Sequence, residues 1–205
     1  LPVKGIDTIY SCRKFFGVPD GAYLYTDVRY DLTDIEQDCS LGRLAHLAGR
    51  LEQTGSEFFE QYKKNEKELL NSPIRKMSQV TANLLRGIDY PLVLKKRNEN
   101  FQYLHDKLQK QNGLSIKSVE GAYMYPLYVK EGGQIRQKLC AAQVYIPLLW
   151  PGVLEKCSKD MIEYKLSRNV LPLPPVWRPF PVYLSCSLPA TGSFALRIFT
   201  AARCY

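Results

Sequence analysis

From residue 34 to residue 112 the apolar side chains recur at spacings of three and four, and that period sets the frame into which the rest of the chain must fit. Leu41, Leu44, Leu47, Ala48 and Leu51 form the first stripe, in a helical pattern over 34–70. Ser72-Pro73 interrupts it. Pro73 suits the first turn of a second helix carrying Ile74, Met77, Val80, Thr81, Leu84 and Leu85, which ends near Gly87. A third helix opens at Asp89-Tyr90-Pro91 and runs through Val93, Arg97, Phe101, Leu104 and Leu108 to a stop at Asn112-Gly113. Helices of this kind owe most of their stability to burying one face, so each stripe is read as helix-packing core.

On both sides of this block the pattern changes. Residues 7–12 and 22–25 are rich in strand formers, and Gly17-Val18-Pro19-Asp20-Gly21 between them is a turn signal, so the pair reads as two strands joined by a loop. Beyond Gly113, residues 122–129 and 144–149 read as strands separated by a helix over 133–142. A helix over 157–167 and a closing run at 170–174 follow. Strands alternating with helices after a helical run predict an α/β chain with a second, smaller α/β domain.

Charge and cysteine usage remove several function classes. The formal charge is +8, but 175–205 contains no Asp, Glu or Lys and contributes Arg178, Arg197 and Arg203. The remainder is therefore +5 (8 − 3 = 5), spread over mixed-sign helices rather than gathered on one face, which argues against a nucleic-acid partner. Cys12, Cys39, Cys140, Cys157, Cys186 and Cys204 show no C-x-x-C spacing, and the histidines are His46 and His105, so no metal site is expected. Scattered cysteines in a chain of this size read as reduced core residues and point to the cytoplasm. No apolar run reaches the roughly 18 to 20 residues that cross a bilayer, so no membrane partner is expected.

The chemistry-bearing candidate is Lys14, in Ser11-Cys12-Arg13-Lys14-Phe15-Phe16-Gly17-Val18-Pro19-Asp20-Gly21-Ala22. It follows a strand, is flanked by two phenylalanines and precedes a glycine-bearing turn that lets the backbone come close to a ligand. On local chemistry two readings stand: a solvated lysine at a strand end, or an amine desolvated by apolar neighbours and able to attack a carbonyl. Asp20, Asp31, Asp34 and Asp38 cluster nearby and read as turn and helix N-terminal charges rather than a catalytic pair.

The stretch S-x-x-K-x-x-x-x-x-x-G-A at Ser11 to Ala22 resembles the cofactor-lysine loop of the DegT/DnrJ/EryC1/StrS sugar aminotransferases, enzymes that use pyridoxal 5'-phosphate (PLP). In that family the Schiff-base lysine stands seven residues before a Gly-Gly pair, a place taken here by Gly21-Ala22. Asn71 to Ser78 is similar to the family's G-x-N-x-R-M-S loop, and Arg97 to Phe101 with Leu104 resembles its R-x-x-N-[YF]-x-x-L helix. Val144 to Pro151 and Val170 to Pro174 resemble the strand and the near-terminal element of its small domain.

The resemblance implies the C-terminal part of a fold type I PLP-dependent transferase: the end of the large PLP-binding domain with connecting helices over 1–100, and a small α/β domain over 101–174. It implies that Lys14 holds PLP and moves protons, with Ser11 and Asn71 as further cofactor contacts, Asn71 reaching the partner subunit's cofactor in a homodimer. The implied reaction is transfer of an amino group, from an amino-acid donor such as glutamate, to a keto sugar, most often nucleotide-linked. The family's N-terminal half would precede Leu1, including the aspartate that pairs with the pyridinium nitrogen, so this chain alone is expected to be inactive. The alternative is a catalytically inactive aminotransferase-like module for dimerisation or regulation. Residues 175–205 depart from the family pattern and are expected to be a frameshifted or foreign end.

Overall fold

The computed structural model describes residues 2–53, 57–117, 119–142 and 144–175, together with the backbone of 183–186 and 196–199. The rest of the tail, on which the expectation of a foreign end falls, lies outside the described residues. Helix accounts for 48% and strand for 11% of the described residues, so the fold is mixed α/β. The three ladders among the described residues are two-stranded and antiparallel: β1 (Thr8–Ser11) with β2 (Ala22–Tyr25), β3 (Tyr125–Tyr128) with β4 (Val170–Leu173), and β5 (Tyr183–Cys186) with β6 (Leu196–Phe199). The helices are α1 (Leu41–Glu52), α2 (Phe59–Leu70), α3 (Gln79–Arg86), α4 (Tyr90–Leu108), α5 (Gly132–Ala141), α6 (Pro151–Lys156) and α7 (Ile162–Asn169). The backbone divides into two compact units, Leu1–Tyr90 and Pro91–Tyr205.

In the first unit the expected hairpin forms, with Ser11 opposite Ala22 and Thr8 opposite Tyr25. The single helix expected over 34–70 is two, α1 and α2. The second expected helix starts late: Asn71 to Met77 is not helical, and α3 begins after Ser78, whose Oγ accepts the Thr81 amide at 3.1 Å and satisfies one of the donors a helix start leaves open. Pro73 therefore lies outside the helix.

The stripe of α1 is also corrected. Leu41 is 70% and Leu51 85% exposed, and the residues that α1 buries are Arg43 and His46. The apolar core of this unit is small, Cys12, Val18 and Leu85 with Phe16, Met77 and Ile88 against them. Arg43 meets Asp20 and Asp38 and His46 lies by Asn65, so a polar stripe of α1 turns inward.

In the second unit the periodic reading holds better. Phe101, Leu104 and Leu108 of α4 pack with Tyr125, Leu127 and Val129, Leu139 of α5, Ile146 and Leu171 of β4. Each such burial is worth on the order of 1.5–3 kcal/mol. Asn112 ends α4's extension and stands in for a strand: its Nδ2 donates to the Pro126 carbonyl at 2.9 Å and its Oδ1 accepts the Tyr128 amide at 3.0 Å. The strand expected at 144–149 is absent. Pro147 brings no amide hydrogen to a ladder, and the segment is instead pinned by Ser167, whose Oγ lies 2.8 Å from the Leu149 carbonyl and 3.1 Å from that of Trp150. The helix expected over 157–167 is the later α7, with α6 ahead of it.

His46 gives the first unit a pH dependence. Its Nδ1–H donates to the Arg43 carbonyl at 2.7 Å, to which Asn65 Nδ2 also donates at 3.2 Å, and its ring lies against Tyr62. Burial first, then the charges of Arg50 and Arg13, push the imidazole below its ordinary 6.5, against the opposing pull of the Arg43 carbonyl and Glu66. The folded state thus favours neutral His46, so its contribution is complete above the unfolded pKa and is lost as pH falls through the lower folded one. Urea midpoints measured from about pH 7 down to about pH 5.5 should decline, and His46→Gln should flatten that decline.

Candidate functional site

The site is built on the turn between β1 and β2. Cys12–Lys14 is one turn of 3-10 helix in which the Cys12 carbonyl accepts the amides of Phe15 at 3.0 Å and Phe16 at 2.9 Å. The Cys12 amide donates to the Gly21 carbonyl at 3.0 Å, which closes the loop at its base. Cys12 is 2% exposed, and burial, with the Asp20 charge, pushes its thiol up despite a backbone hydrogen bond; it is a packed side chain rather than a nucleophile. Arg13 pairs with Glu66 of α2.

Lys14 is exposed and has no ion-pair or hydrogen-bond partner among the described residues. Of its two local readings, the structure shows the solvated one. Phe16 turns away to meet Tyr90 edge-on, with centroids 5.3 Å apart, and Phe15 leans on Phe16 at 6.3 Å. Tyr90 is itself fixed by its hydroxyl, which donates to the Leu85 carbonyl at 3.0 Å. The two aromatics hold the backbone of the turn and leave the amine in water.

Ser11 lies half-buried at the end of β1, and its hydroxyl makes no cap bond to the turn that follows. Asn71 is exposed at the C-terminus of α2, where Nδ2 donates to the Lys67 carbonyl at 2.9 Å. Ser11 and Lys14 therefore share one turn. Asn71 is five residues beyond the Glu66 that pairs with Arg13, about 7.5 Å along the helix axis, and no hydrogen bond joins it to either of them among the described residues.

Beneath this turn lies a polar cluster that the sequence did not single out. Asp20, 4% exposed, accepts Ser40 Oγ at 2.6 Å and Arg43 Nε at 2.8 Å on Oδ2, and Thr81 Oγ1 at 2.5 Å on Oδ1. Ser40 also meets Ser78, and Arg43 reaches Asp38. Burial works against the Arg43 charge, but the hydrogen bonds and charges of Asp20 and Asp38 outweigh it and hold the guanidinium more firmly protonated. Asp20 and Asp38 thus meet on one arginine rather than serving as separate turn and helix-end charges. Asp31 keeps the turn role, bonding the Thr33 amide and hydroxyl at 2.9 Å and 2.6 Å. The one advance signal was Asp20-Gly21: Gly21 has φ +93, and a Cβ there would stand 2.9 Å from Thr81 Cγ2, so glycine is required where the loop closes over α3.

No group of three or more His, Cys, Asp and Glu side chains is placed to hold a metal ion among the described residues. No described helix is long and apolar enough to cross a membrane. Comparisons with protein-family models, curated proteins and solved structures returned no match.

Removing one partner of a buried ion pair leaves the other uncompensated, at a cost of about 3–5 kcal/mol. Asp20→Ala should lower the stability of the first unit by that order, read from the urea unfolding of near-UV tyrosine signals, whereas Asp31→Ala at its exposed turn should leave the midpoint close to that of the wild type.

Proposed function

We propose that this chain is the C-terminal part of a PLP-dependent sugar aminotransferase of fold type I, with Lys14 as the residue that joins the cofactor. What carries the reading is the set of segments that resemble the family in its own order; Lys14, at the cofactor-lysine position, is an exposed amine with no acidic partner among the described residues, on a turn closed by the Cys12 backbone.

The residues present fit one end of PLP. Lys14 supplies a free amine and Ser11, three residues earlier, a hydroxyl suited to a phosphate oxygen. They supply nothing for the ring nitrogen: the buried carboxylate nearest in sequence, Asp20, is fully engaged by Arg43, Ser40 and Thr81. When bound, PLP provides the electron sink that lets an amino group pass between an amino acid and a keto sugar. Lys14 would hold the cofactor through its amine, the carbonyl oxygen leaving as water, and would be the base that takes and returns a proton at the carbon bearing the amino group. Asn71, exposed at the end of α2 with its Oδ1 not used in the bond to Lys67, would serve a site on a second copy of the chain in the cytoplasm.

A second reading, an inactive aminotransferase-like dimerisation or regulatory module, is favoured by the apolar surface of the first unit. Ile9 is 71%, Leu24 49%, Leu70 85% and Ile74 88% exposed, side chains that a covering polypeptide would take out of water.

Borohydride reduction in the presence of PLP separates the two. The aminotransferase reading expects cofactor fixed on the peptide bearing Lys14 and lost in Lys14→Ala. Absence of an adduct at Lys14, with the chain folded and self-associating in sedimentation, would leave the module.

A further inference from the structure

We infer that Asp20 is the positioning residue for Lys14, acting through the backbone that joins them; this rests on the cofactor role proposed above for Lys14. The path is continuous. Asp20 is held from three sides, by Ser40, by Arg43 of α1 and by Thr81 of α3. Gly21 follows it directly, and its left-handed backbone, with no room for a side chain beside Thr81, directs its carbonyl to the Cys12 amide at 3.0 Å. Cys12 in turn carries the whole 3-10 turn on its own carbonyl, which accepts from Phe15 and Phe16. Lys14 is thereby the one residue of the turn with a free side chain on a backbone fixed at both ends, and the aspartate sets where that amine starts.

This explains a feature that stability alone does not. A buried carboxylate and guanidinium could be replaced by apolar residues of similar volume at little cost or even a gain. The three polar side chains on Asp20 give a loop geometry that is directional, since each hydrogen bond constrains angle as well as distance.

The test uses the purified chain with PLP itself as probe. Each protein is incubated with PLP, reduced with borohydride and digested, and the label on Lys14 is compared with that on Lys4, an exposed lysine on a turn of the same unit. The wild type should favour Lys14 over Lys4. Thr81→Val, which keeps shape and removes one bond to Asp20, should cut that ratio about fivefold, and Asp20→Asn should cut it further, as loss of charge-assisted hydrogen bonds implies. Ser40→Thr, which keeps the hydroxyl, should retain the ratio. Far-UV circular dichroism confirms folding for each, and Thr81→Val carries the test if Asp20→Asn unfolds. A folded Thr81→Val or Asp20→Asn with the wild-type ratio overturns the positioning role and leaves the cofactor assignment standing. A wild type with no preference for Lys14 overturns the cofactor assignment instead.

Discussion

The first unit depends on a single buried carboxylate. Asp20 collects the hydroxyls of Ser40 and Thr81 and the guanidinium of Arg43, and these belong to the segment before α1, to α3 and to α1. Among the described residues the apolar core of the unit is three buried side chains with three more against them, too few to fix how those elements meet. Hydrogen bonds to a charge supply what the core does not. They are short and directional, and an unpaired buried charge is expensive, so alternative packings that break the cluster are excluded.

The consequences run outward from that point. Because α1 must offer Arg43 to Asp20 and His46 to the polar contacts around Asn65, its leucines at Leu41 and Leu51 face water. Because Gly21 must close against Thr81, the β1–β2 turn has one geometry, and Lys14 rides on it. The same inward polar face makes the unit sensitive to acid, through an imidazole that must stay neutral. The second unit is organised differently: α4, α5, the β3–β4 ladder and Ile146 enclose one apolar cluster, with Asn112 and Ser167 fixing the connections.

That contrast decides what was legible in advance. The β1–β2 hairpin, α4, α5, β3 and β4 follow from local signals: a turn between two strand-forming runs, and apolar periods that do meet an apolar neighbour. The inward face of α1 was misread because an apolar stripe identifies a core face only where an apolar partner exists. Its partners here are Asp20 and Asn65, at separations of 23 and 22 residues, and the closing bond to Thr81 spans 61. Hydrogen bonds at such distances leave no periodic trace. The start of α3 shifted for a local reason, since Ser78 caps it where Pro73 had suggested an earlier opening. Of the candidate site, Ser11 and Lys14 were legible as neighbours on a turn, whereas the choice between a solvated and a desolvated Lys14 was not, because Phe16 turns to Tyr90 from a distant segment and Phe15 leans on Phe16.

Hydrogen exchange of two backbone amides tests the dependence on Asp20 most directly. The Cys12 amide reports the base of the Lys14 turn and the Thr81 amide the start of α3 at the buried cluster. If Asp20 ties them into one cooperative element, both amides open together, with equal protection that falls by the same factor in Asp20→Asn. A Cys12 amide that exchanges freely while Thr81 stays protected would show that the turn is not held from the cluster, and would contradict the account.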